Sequence, residues 1–246
     1  MKFILGRKIE MTQVWKNNEM IGVTKIEVAP CVVTQIKTIK NDGYTAIQLG
    51  TGERKEKNIN KPQIGHMKAS GRTSRFLKEF RLDKEISDIK VGDIVNIDNF
   101  TEGEVIRTTG VSKGRGYAGV VKRHHFKGHK QTHGTKDAVR MPGSIGAGGV
   151  QHVFKGMRMA GRMGGDQVTT PTVEIVNVDM EENIISIKGS LPGARHGLVM
   201  LIGDGDLKFV SKESSSETKE IEAKEEIITE QATETVEAEI VTEEAK

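Results

Sequence analysis

VEIVNVDMEENIISIK, residues 173–188, decides the fold. Two runs dense in Val and Ile, 173–179 and 184–188, flank the polar break Met180-Glu181-Glu182-Asn183. Alternating runs joined by a short polar break predict a β-hairpin. Working outward, similar runs lie at 198–202, 104–111 and 94–98. Residues 20–38 are rich in Val, Ile and Thr but broken by Pro30, which predicts two strands meeting at a bend. Asn41-Asp42-Gly43 is a turn signal before a further strand at Tyr44–Leu49. Residues 53–70 are polar and read as loop. Residues 73–81, with Phe76, Leu77 and Phe80 at i, i+1 and i+4, predict a short helix. Many short strands punctuated by turns favour a closed or nearly closed β-barrel over a parallel α/β sheet.

The charge is distributed in blocks. The whole chain has 37 Lys+Arg and 34 Asp+Glu for a net of +3, yet residues 107–165 alone carry +11 and residues 211–246 carry −8. The remainder is neutral. Sign asymmetry on this scale points to a polyanionic partner. The basic segment also holds 14 of the 28 glycines and has no sustained hydrophobic period, so by itself it buries too little apolar surface to offset its conformational entropy. The acidic tail has no aromatic, Gly or Pro residue. It is expected to be disordered in the free chain, with Ile221, Ile228, Ala232, Val236 and Ile240 on one stripe of a transient helix.

Several classes are excluded at this level. No apolar run approaches the roughly 20 residues a membrane helix needs, and residues 1–8 are not expected to act as a signal peptide. A single Cys31 cannot form an internal disulfide or a cysteine-built metal site. The expected compartment is the cytoplasm.

Three motifs in the basic segment carry possible chemistry. Gly114-Arg115-Gly116-Tyr117-Ala118-Gly119 fits GxGxxG, but the following Val120-Val121-Lys122-Arg123-His124-His125 lacks the apolar helical face of a dinucleotide fold. Gly110-Val111-Ser112-Lys113-Gly114 fits GxSxG without the buried helix a nucleophile elbow needs. His124, His125, His129 and His133 have metal-like spacing, but no Cys or nearby Glu completes a ligand set and Gly128 and Gly134 interrupt a helix. The composition itself is the stronger signal. Lys and Arg neutralise phosphates, and Gly lets the backbone approach them. His, Tyr117 and Phe126 offer flat faces to unpaired bases.

The residues also resemble a known family. Gly6-Arg7-Lys8-Ile9 and Met11-Thr12-Gln13-Val14 open the likeness. Thr109–Gly114, Thr132-His133-Gly134, Pro142–Gly146, Val153–Gly156, Met159–Gly164 and Lys188–Gly193 continue it in order across residues 1–210. Together they resemble bacterial large-subunit ribosomal protein L three. The resemblance implies a translation-protein-type β-barrel with a long irregular basic arm between its halves. It also implies binding to large-subunit ribosomal RNA near its 3′ end, support of early subunit assembly, and an arm directed towards the peptidyl-transferase centre. Glu10 stands where the family usually has Gly, and Val139 where His is common. The segment between Gly146 and Val153 is one residue short, so Gln151 is not equated with the tip glutamine methylated in related proteins.

The expected organisation is a body of 1–109 and 166–210, with a loop and short-helix excursion at 53–90. An RNA-binding arm spans 110–165 and an acidic tail 211–246. Lys113, Arg115, Lys122, Arg123, Lys127, Lys130, Lys136, Arg140, Lys155, Arg158 and Arg162 are the expected phosphate contacts. His124, His125, His129 and His133 add base or phosphate contacts. Ser144, Ile145, Gly146, Ala147, Gly148, Gly149, Val150, Gln151 and His152 form the expected tip. The expected partners are large-subunit ribosomal RNA and neighbouring ribosomal proteins, with no catalytic residue, metal, cofactor, membrane or small-molecule substrate. The alternatives are a general nucleic-acid chaperone, or a hydrolase or nucleotide-binding enzyme using 110–119.

Overall fold

Phe3, Ile4 and Leu5 are consecutive and all fully buried, which a strand with one wet face does not permit. The computed structural model describes residues 1–16, 18–82 and 89–210, and the expectations for the tail fall outside them. The buried triplet belongs to β1 (Lys2–Lys16), which pairs first with β12 (Leu198–Gly203) and then with β2 (Glu19–Glu27). With β7 (Val105–Val111), β10 (Gln167–Asp179) and β11 (Ile184–Lys188) these strands close an antiparallel six-stranded barrel in the order β1-β12-β7-β10-β11-β2. Ile175, Ile185, Ile187, Val199 and Leu201 help to fill it, as alternation predicts.

The 173–188 hairpin forms as expected, with Val178 opposite Ile185 and Asp179 opposite Ile184. Its turn is held by the Asp179 carboxylate, whose Oδ1 accepts the backbone N–H groups of Glu181 and Glu182 at 3.1 and 3.2 Å. The bend at Pro30 is also present, and it redirects the chain out of the barrel. β3 (Cys31–Lys37) enters a second, four-stranded sheet with β4 (Ala46–Glu53), β5 (Ser74–Arg81) and β6 (Ile94–Val95), in the order β5-β4-β3-β6. Within the body, residues 31–95 thus build a sheet of their own. It packs on β1, where the Phe3 and Phe80 rings stack at 4.3 Å, and one apolar core serves both sheets. This second cover explains the buried triplet.

Sequence and structure part company in four places. The helix expected over 73–81 is the strand β5: Ile47 lies opposite Phe80 and Thr51 opposite Phe76 on β4. Its doublet Phe76-Leu77 mimics a helical stripe, but pairing with β4 and the stacking on Phe3 decide the conformation. Lys37 fastens the same strand, pairing with Glu79 at 2.6 Å and donating to the Tyr44 hydroxyl at 2.7 Å. The pair raises the Lys37 pKa and lowers that of Glu79. The Asn41–Gly43 turn is the end of a one-turn helix, α1 (Ile39–Asp42), closed by Gly43 at φ 79°. The polar stretch 53–70 contains α2 (Lys61–Met67), with a proline in its first turn. The strand expected at 94–98 stops at Val95 and gives way to a 3₁₀ turn at Ile97–Asn99.

That turn also fixes the far end of the described chain. The Asn99 side chain accepts the Lys208 N–H at 2.7 Å and donates to the Lys208 carbonyl at 3.1 Å, beside a bridge between Ile94 and Val210.

Candidate nucleic-acid interface

Between β7 and β10 the chain leaves the barrel as an extension of those two strands. Beyond the Val111–Gln167 pair, Ser112 N–H donates to the Asp166 carbonyl at 2.9 Å. Arg115 N–H donates to Met163, and Met163 N–H to Gly116, both at 2.9 Å. β8 (Tyr117–Ala118) then pairs with β9 (Gly161–Arg162). The two limbs approach so closely that a Cβ at Gly164, at φ 73°, would collide with the Lys113 carbonyl.

A five-residue helix, α3 (Val120–His124), follows and ends at His125 in the left-handed region, φ 60°. It is pinned to the returning limb: Arg123 Nη1 donates to the Met159 carbonyl at 2.9 Å, and His124 Nε2 lies 3.1 Å from the same oxygen. A Cβ at Gly161 would stand 2.6 Å from Arg123 Nη1, so glycine is what lets the guanidinium through. Ala118 and Val120 are the buried side chains here. Farther out, His129 N–H donates to the Val139 carbonyl at 2.9 Å and residues 137–140 make a 3₁₀ turn. From Arg140 to Arg158 every residue is exposed. That stretch includes the whole expected tip, Ser144–His152, where Ser144 Oγ donates to the Gly146 carbonyl at 2.8 Å.

The expected site residues therefore divide. Lys113, Arg115, Lys122, Lys127, Lys130, Lys136, Arg140, Lys155, Arg158 and Arg162 are exposed, as are His125, His129 and His133. Arg123 and His124 are half-buried and hold the limbs together. Among the described residues, no ion pair involves an arm cation. Tyr117 is 80% exposed and offers a flat face, whereas Phe126 is half-buried near His124. Phe154, which the sequence did not single out for stacking, is 54% exposed with His152 edge-on at 5.7 Å.

The alternative chemistries find no geometry among the described residues. Within GxGxxG, Tyr117 and Ala118 form a strand paired antiparallel with Gly161-Arg162, not the turn of a parallel crossover. Ser112 lies in the root ladder, not on a strand-to-helix elbow. No group of three His, Cys, Asp or Glu residues is arranged to hold a metal. Cys31 is buried in the core, and burial pushes its thiol up to about 11.

Two further cations escaped the sequence reading. Lys8 and Arg195 stand with Lys113 around an open cleft of about 320 Å³ at the arm's root. They are 187 positions apart in sequence, and the pairing of β1 with β12 and the loop leading into β12 bring them together.

A closed barrel and an exposed cationic arm define an arm-bearing β-barrel class of protein. The comparisons are specific. Residues 82–183 match the family model for ribosomal protein L3. The chain is 54% identical over 200 residues to large ribosomal subunit protein uL3 of Herpetosiphon aurantiacus, covering 80% of this chain and 94% of that protein. It is 46% identical over 202 residues to that of Chlorobium limicola (81% and 97%) and 48% identical over 204 residues to that of Bacillus cytotoxicus (82% and 96%). The chain belongs to the ribosomal protein L3 family. It is accordingly a structural constituent of the large ribosomal subunit and not an enzyme.

Proposed function

We propose that the chain binds large-subunit ribosomal RNA through residues 110–165, supports early subunit assembly, and carries its tip at 144–152 towards the peptidyl-transferase centre. The body at 1–109 and 166–210 is the anchor, and neighbouring ribosomal proteins are its other partners. The observation that carries this reading is the arm's exposure. The arm carries a net charge of +10 over residues 110–165, all of its cations but Arg123 are exposed, and its outer backbone is scarcely bonded to itself. Such a segment gains order from a polyanion, and the entropy of ordering it is charged against the binding energy. Exposed glycines at 146, 148 and 149 have open space around them, so the backbone can approach phosphates closely.

The test is the salt dependence of binding to RNA carrying the 3′-terminal region of the large-subunit RNA. Replacing Lys122, Lys127, Lys130, Lys155 and Arg158 by Gln is expected to reduce the log–log salt slope by about 3.5 to 4.5, since each lost phosphate contact removes about 0.7 to 0.9. Co-sedimentation of the variant with large subunits falls in parallel. An unchanged slope would exclude the arm as the RNA-binding element. Equal affinity for unrelated RNAs would favour a general nucleic-acid chaperone.

A further inference from the structure

We infer that the cleft at the foot of the arm, lined by Lys8, Glu10, Lys113 and Arg195, is a separate seat for one RNA phosphodiester, and that Glu10 holds Arg195 in reserve until the phosphate arrives. The inference rests on the RNA-binding reading above but concerns residues outside the arm's own cationic face.

The geometry begins with an irregularity in β1. Lys8 pairs with Ile26 and Glu10 with Lys25, so Ile9 is the extra residue of a bulge. The bulge turns this part of β1 towards the loop after β11, which is tied to it by three bonds. Lys8 N–H donates to the Gly197 carbonyl at 3.0 Å, His196 N–H donates to the Lys8 carbonyl at 2.7 Å, and Lys8 Nζ donates to the Leu191 carbonyl at 2.8 Å. The same loop leans on the arm's base, since a Cβ at Gly110 would stand 3.0 Å from the Pro192 carbonyl oxygen. β1, the loop and the arm's root thus form three walls of one cleft.

Its charge is unbalanced. Three cations and one carboxylate line it. Arg195 is committed: Nε donates to the Ile9 carbonyl at 3.1 Å and Nη2 pairs with Glu10 at 3.0 Å. Lys8 has a carbonyl but no carboxylate within reach among the described residues. Burial first, and then the charge of Lys113, holds its pKa below the ordinary lysine value. Lys8 and Lys113 face one cleft as like charges, an arrangement that an anion between them would relieve. The Glu10 carboxylate meets part of that need from within the chain, on a side chain exposed enough to swing away. A phosphodiester entering between Lys8 and Lys113 would compete with it for the Arg195 guanidinium, whose planar fork suits phosphate as well as carboxylate.

The experiment uses the full chain and the same 3′-terminal RNA, with E10Q, R195Q and the double variant. E10Q is expected to tighten binding about threefold at low salt and to steepen the salt slope by about 0.7 to 0.9. R195Q weakens binding, and in its background E10Q loses its effect, because Glu10 acts through Arg195. Thermal midpoints of the single variants, close to that of the parent, separate this from a folding defect. If E10Q tightens binding equally with and without Arg195, Glu10 acts only as a distant charge and the cleft assignment is overturned. It is also overturned if the single variants leave affinity and slope unchanged while the five-fold arm variant lowers both, an outcome that leaves the function reading standing. An arm variant without effect overturns the function reading first. Inorganic phosphate at constant ionic strength is the second probe. Amide shifts confined to Lys8–Met11 and Gly193–Arg195, with RNA affinity unmoved by E10Q, would reassign the cleft to a free anion and overturn the RNA assignment.

Discussion

Phe3 in β1 and Phe154 in the returning limb of the arm are the same side chain in opposite situations: one is fully buried, the other 54% exposed. Sequence neighbours do not account for the difference, because Phe154 also sits beside an apolar residue, Val153. Phe3 is covered because its strand has a sheet on either side, and the Phe80 ring meets it from the second. Residues 140–158 have no second layer, so their apolar and cationic groups alike stay on the surface. Hydrophobic residues become a core only where hydrogen-bonded layers bring a facing surface to them.

Hydrogen exchange puts the strongest strain on this contrast. In the free protein, amides of β1, β7 and β12 are expected to exchange at least about 10³-fold more slowly than those of 125–158, with the root ladder at Arg115 and Met163 between the two. Barrel-like protection across 125–158 without RNA would abolish both the contrast and the coupling of arm order to RNA binding. Truncation of the two phenylalanines comes next. Phe3→Ala is expected to cost about 3–5 kcal/mol in denaturant unfolding, and Phe154→Ala no more than about 0.5 kcal/mol. Equal losses would mean that the arm contributes to the core. The smallest effect sharpens the boundary between the regions. Gly164→Ala forces a Cβ against the Lys113 carbonyl at a positive φ and should cost about 1–3 kcal/mol locally. It is read as faster exchange at Arg115 and Met163 with the β1 amides unmoved; faster β1 exchange or no change at the root would place the boundary elsewhere.

The barrel was legible where one face of a strand is wet. The strand at 198–202 shows alternation because one side of it faces out, and the 173–188 hairpin was legible from its two Val/Ile runs and the polar break between them, although Ile185, Ser186 and Ile187 are all buried. β1 was not legible, because it is covered on both sides near Phe3, changes partner at Arg7 and bulges at Ile9, so no single period survives. β5 was misread because its Phe76-Leu77 doublet fits a helix as well as a strand, and its partner β4 lies too far back in the chain for a local pattern to register. The arm's charge was visible in composition, but the internal duties of Arg123 and His124 were not, because the carbonyl they meet belongs to Met159, more than thirty residues on. Lys8 and Arg195 illustrate the same limit over 187 positions of the 246-residue chain.

The closing pair of the barrel has a consequence in time as well as in space. Lys2 lies opposite Gly203, so the ring cannot be sealed until the last of its strands has been synthesised. Every lysine and glycine of the arm is made before that. The growing chain therefore presents its cationic segment first and completes the platform beneath it afterwards, an order of events imposed by strand connectivity alone.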